Sequence, residues 1–86
     1  MLNNDFNYSV LIKTEDNEIA IRSNNPVHCV ELIKAYIELA NYSTVNCSID
    51  FSDNLTGEVY FYFVKTVKDG NAEIESYETE FYSFLK

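Results

Sequence analysis

Hydrophobic and polar residues alternate from the start of the chain. Phe6, Tyr8, Val10 and Ile12 share one parity and Asn7, Ser9, Leu11 and Lys13 the other, the period-two pattern of a half-buried strand. The polar run Thr14-Glu15-Asp16-Asn17 reads as a turn. Ile19 and Ile21 then alternate with Glu18, Ala20 and Arg22, which predicts a second strand over residues 18–23 and hence a hairpin. The period changes at Asn24-Asn25-Pro26, where a capping side chain precedes a proline suited to the first helical turn. At about 100° per residue, Cys29, Val30, Leu32, Ile33, Tyr36, Ile37, Leu39 and Ala40 fill a broad apolar half, with Glu31, Lys34 and Glu38 on a narrow polar edge. Such a helix packs deep against a sheet.

The pattern recurs in the second half. Val45, Cys47, Ile49 and Phe51 alternate with Asn46, Ser48, Asp50 and Ser52, and the loop Asp53-Asn54-Leu55-Thr56-Gly57 leads into Val59, Phe61 and Phe63. Asp69-Gly70 can turn into either a fifth strand or a helix. Read as a strand, residues 72–85 place Glu73 and Glu75 on one face and Glu78 and Glu80 on the other, with no clean buried side. Read as a helix, they gather Ile74, Tyr77, Phe81, Phe84 and Leu85 within about 100° of arc, with Asn71 as cap. The helix is the expectation. The fold class is then α+β: ββα in residues 1–43, ββα in 44–86, one two-layer domain with a four-stranded antiparallel sheet and two helices on one face.

Composition bounds the class. Of 86 residues 47% are hydrophobic and 15% aromatic, too apolar for a disordered acidic tail. The segment MLNNDFNYS has no basic or apolar secretion region, and no apolar run approaches the ~18 residues of a membrane span. Cys29 and Cys47 lack CxxC spacing and are expected as reduced, buried thiols, which points to a cytoplasmic location. Charge is the outstanding property: fourteen acids against six bases give −8, with −3 on residues 1–43 and −5 on 44–86. A surface this negative repels nucleic acid and anionic lipid and attracts basic protein surfaces.

Catalytic and metal motifs are lacking. His28 neighbours Cys29, but the two point about 100° apart on a helix. The oxygen-rich loop Asp50–Glu58 has Leu55 where a calcium loop needs glycine. No cofactor, metal or enzymatic activity is therefore expected. The candidate partner-binding residues fall in two groups. Tyr60 and Tyr62, with Val64, occupy the parity that is polar in the other strands, so they are expected on the outer sheet face, with the composition of an interface hot spot. Asp50, Asp53, Glu58, Glu73, Glu75, Glu78 and Glu80 supply carboxylates that can stand in for phosphates against Lys and Arg.

In size, acidity, compact α+β pattern and a composition suggestive of an AT-rich genome, the chain resembles the small phage-encoded inhibitors of bacterial defence, among them many anti-CRISPR proteins. The resemblance is to a class and carries no motif. It implies stoichiometric occlusion of a basic, nucleic-acid-binding host effector such as a CRISPR nuclease, by a monomer or homodimer in the host cytoplasm. An immunity protein or antitoxin plugging a cationic nuclease toxin would use the same acidity. A non-catalytic oligomerisation module would instead pair through an exposed sheet edge.

Overall fold

The computed structural model describes residues 7–42 and 45–85; Phe6, assigned above to the first strand, lies outside them. Elements follow the order β1 (Tyr8–Thr14), β2 (Glu18–Ser23), α1 (Pro26–Tyr42), β3 (Cys47–Asp53), β4 (Val59–Lys68), β5 (Asn71–Glu78) and α2 (Glu80–Leu85). The strands form one antiparallel sheet in the order β2-β1-β3-β4-β5. The α+β class and antiparallel sheet agree with the pattern of the chain. The sheet has five strands rather than four, and the order is ββαβββα.

Both ends of α1 are chemically marked. The Asn25 side chain accepts the Val27 and His28 amides at 3.0 and 3.4 Å, capping the helix with Pro26 in its first turn. At the other end the Lys65 ammonium, on β4 and only 6% exposed, donates to the carbonyls of Ala40 (2.9 Å) and Asn41 (3.4 Å). A buried cation thus meets the negative end of the helix dipole and satisfies carbonyls that have no partner within the helix. Cys29, Val30, Ile33 and Ala40 face the sheet and are buried; Leu39, expected within the apolar half, is 65% exposed. The buried stripe is narrower than the apolar pattern.

The core closes between α1, α2 and the inner sheet face through Val10, Ile12, Ile49, Phe51, Phe61 and Phe63. Fully burying a side chain of this kind contributes about 1.5–3 kcal/mol. Between β3 and β4 the register slips: Phe51 pairs with Phe61, but Ser52 pairs with Val59. Tyr60 is the extra residue of this bulge, which turns its side chain to the helix side with Phe61. It is 8% exposed, stacks on Phe81 at 4.3 Å and meets Phe51 edge-on at 5.4 Å. The strict alternation that places Tyr60 on the outer face is therefore corrected by the bulge.

The second correction concerns residues 72–85. Asp69 (φ 53°) and Gly70 (φ 80°) both take the left-handed conformation of a tight hairpin turn, so the chain folds straight back as β5. Asn71 starts that strand and caps no helix. All eight β5 residues are exposed on this edge strand, which the short α2 touches without burying, so its acids meet water on both faces. Only Glu80–Leu85 is helical. Thr79 launches α2, its hydroxyl accepting the Tyr82 amide (3.4 Å) and its carbonyl the Ser83 amide (3.1 Å). The anchor of α2 is Tyr82, buried and stacked on Phe61 at 4.5 Å. Of the residues expected to bury one long helical face, Ile74 is 54%, Tyr77 46% and Phe84 91% exposed.

Candidate protein-binding face

Both helices pack on one side: α1 touches β1, β2 and β3, while α2 touches α1, β4 and β5. Among the described residues nothing covers the other side. Registers and strand alternation compose this outer face row by row. One row runs Ala20, Leu11, Asp50, Tyr62, Tyr77; the next runs Glu18, Lys13, Ser48, Val64, Glu75; a third holds Thr66 and Glu73.

Tyr62 and Tyr77 sit directly opposite each other, their rings stacked at 5.6 Å and 22°. The Tyr62 hydroxyl reaches the Glu75 carboxylate at 3.4 Å. Desolvation, then the neighbouring Glu75 charge and bond, push this phenol above its ordinary pKa. It therefore stays a neutral donor. Beside the pair, Asp50 is half-buried between Leu11 and Tyr62. Burial raises its pKa, and the Lys13 ammonium acts in the opposite direction. The face thus presents an apolar and aromatic patch of Leu11, Tyr62, Val64 and Tyr77 running from β1 to the β5 edge, with Asp50 set into it and Glu73 and Glu75 along the β5 side. Lys13 and Arg22 lie toward β1 and β2, so the negative charge is concentrated at one side.

Of the residues singled out from the sequence, the fold brings Asp50, Tyr62, Glu73 and Glu75 onto this face. It places the others elsewhere. Tyr60 is in the core. Asp53 organises the β3–β4 loop: Oδ1 accepts the Leu55 (2.7 Å) and Thr56 (3.0 Å) amides, and Oδ2 accepts the Tyr60 hydroxyl (3.0 Å). Those amide bonds hold its carboxyl below the usual range. Glu58 is exposed at the end of that loop, with its carbonyl accepting the Asp53 amide. Glu78 points to the helix side, where it accepts the Ser83 hydroxyl at 3.3 Å, and Glu80 opens α2. Glu73 and Glu80 therefore do not share a helical edge. Tyr77 is the functional candidate that sequence reasoning missed. Counting outward from Asp69-Gly70 as a two-residue turn pairs it with Tyr62.

The helix side offers less chemistry. An apolar groove of about 210 Å³ is lined by Ile12, Tyr36, Leu39, Ala40, Cys47 and Ile49, with Thr14 as its polar member. Cys29 and Cys47 are free thiols, and burial raises both pKa values, away from the reactive thiolate. His28 is exposed in the first turn of α1. No three His, Cys, Asp or Glu side chains among the described residues could hold a metal ion, and no described helix is long and apolar enough to cross a membrane.

No protein-family model matches the chain, and neither curated proteins nor solved structures yield a match.

Proposed function

We propose that this chain is a non-catalytic inhibitor of the phage anti-defence, anti-CRISPR type, which occludes a basic nucleic-acid-binding surface of a bacterial effector with its open sheet face. The observation that carries this reading is the stacked Tyr62–Tyr77 pair across β4 and β5, on a sheet face that no described residue covers, with Asp50, Glu73 and Glu75 around it. Tyrosines contribute large contact area at small entropic cost, and a buried aromatic centre with a polar rim is the anatomy of an interface hot spot. The net charge of −8 steers such a surface toward Lys- and Arg-rich partners and away from nucleic acid. Cofactors and metals play no part in this mechanism, which is occupation of the partner's anion-binding groove.

A photo-crosslinking residue placed at Val64 on the outer face, compared with one at Lys34 on α1, tests this reading in host lysate. The position-64 probe should capture a basic nucleic-acid-binding protein, and added DNA or RNA should compete. Capture of a nuclease toxin would assign the chain to the immunity proteins. Capture only from position 34, or of a partner indifferent to nucleic acid, would contradict the proposal.

A further inference from the structure

Among the described residues the β5 edge of the sheet is open, and its hydrogen-bonding capacity follows from the turn. In a hairpin closed by two residues, the flanking pair exchanges both backbone bonds and every second pair outward does the same. Lys68–Asn71 flank Asp69-Gly70, so Thr66–Glu73, Val64–Glu75 and Tyr62–Tyr77 are the bonded pairs. Two contacts agree. The Thr79 amide continues the series to the Tyr60 carbonyl at 2.8 Å, while the Val67 amide turns the other way, to the Asn46 side chain at 2.6 Å. Ala72, Ile74 and Ser76 therefore direct their N–H and C=O groups away from β4, along the outer edge of an exposed strand. Such a row is a template for an added strand.

Charge selects what can be added. Glu73, Glu75 and Glu78 line β5, and Lys68 lies only at its turn end. Pairing two copies in the antiparallel registers that use most of the strand, centred on Ile74 or Glu75, sets Glu73 against Glu75 or Glu75 against itself. Like charges directly opposite are destabilising. The opposite edge, β2, carries Glu18 and Arg22 and has no such bias. From the edge geometry and this complementarity we infer that β5 captures an extended, Lys/Arg-rich segment of the partner as a sixth strand, its basic residues two apart to meet Glu73 and Glu75. The inference rests on the reading that the partner is a basic protein and adds how that protein is held: by backbone bonds at the edge as well as by side chains on the face.

The test uses an eight-residue peptide alternating lysine and valine, at about 20 mM salt so that surface charges are weakly screened. Amide hydrogen exchange of the parent chain should slow by about tenfold at Ala72, Ile74 and Ser76 on peptide addition, with much smaller changes at Glu73 and Glu75, whose amides already bond to β4. Ile74→Pro removes one edge donor while leaving every carboxylate and the β4 ladder in place; it should weaken peptide binding by about tenfold. Protection that rises without this alternation, or an Ile74→Pro chain that folds cooperatively and binds the peptide as tightly as the parent, would overturn strand addition. The exchange pattern decides the matter even if the proline variant does not fold. A positive exchange pattern alongside full partner binding by Tyr62→Ala/Tyr77→Ala would support the edge and overturn the sheet-face reading alone.

Discussion

Tyr60 and Tyr62 are two residues apart and face opposite fates, so truncating each should separate stability from surface. Tyr60 is almost fully buried, stacks on Phe81 and packs edge-on to Phe51, and closes the β3–β4 loop through Asp53. Tyr60→Ala deletes a large aromatic from the core and should cost about 3–5 kcal/mol. That is a large part of the roughly 5–10 kcal/mol that holds a domain of this size together. Tyr60→Phe keeps the rings and loses only the bond to a carboxylate, about 1–2 kcal/mol. Tyr62→Ala removes a half-exposed cross-strand contact worth about 1 kcal/mol or less. In urea melts followed by circular dichroism the midpoints should fall in the order parent, Tyr62→Ala, Tyr60→Phe, Tyr60→Ala. The Tyr60 phenol is pushed up to about 12 by burial first and then by its bond to Asp53. Because the folded state holds this proton more tightly, its contribution is complete below about pH 10 and is lost as the pH rises toward 12. Tyr60→Phe should flatten that alkaline loss. Equal destabilisation by Tyr60→Ala and Tyr62→Ala would refute the bulge and the packing built on it.

Other expectations follow from single contacts. Lys65→Met removes the cation at the C-terminus of α1 and should cost about 2 kcal/mol, read as a fall in midpoint of roughly 4–8 °C per kcal/mol in a thermal melt. Asp53 has a lowered folded pKa, so its contribution is full above the normal carboxylate range and is lost as pH falls through it; Asp53→Asn should flatten the acid limb of the stability profile. Gly70 holds φ at 80° with open space around it; Gly70→Ala should therefore cost about 1 kcal/mol through backbone strain alone, and calorimetry would show the shift without any change in fold.

The first four strands and α1 were legible because their apolar residues recur with the period of the element and the core covers one face of β1, β3, β4 and α1. Val10 and Ile12, or Ile49 and Phe51, betray a period of two, and Asn25-Pro26 marks where that period ends. Two features broke the rule for physical reasons. A bulge adds one residue, and residue parity has no means of expressing it, so Tyr60 reads as outward. An edge strand that a short helix touches without burying has no buried face, so β5 carries no period-two signal, and its apolar residues fit a helical arc by default. The Asp-Gly turn held the missing information. Once it is taken as a two-residue hairpin, Tyr62 faces Tyr77 and Val64 faces Glu75. The acids were visible as a total charge, but their division between the outer face, the β3–β4 loop and α2 depends on the turn, the bulge and the loop bonds together.

In the proposed mode of binding the Tyr62–Tyr77 face, and not the chain's overall acidity, holds the partner. Its most direct test is the affinity of the crosslinked partner, once purified, for the parent chain and for Tyr62→Ala/Tyr77→Ala. The parent and the double variant carry the same charge. The double variant should lose about 30-fold or more in affinity, equivalent to about 2 kcal/mol at an interface, with a cooperative thermal transition retained. Equal affinity of the two chains, with folding intact, would contradict it.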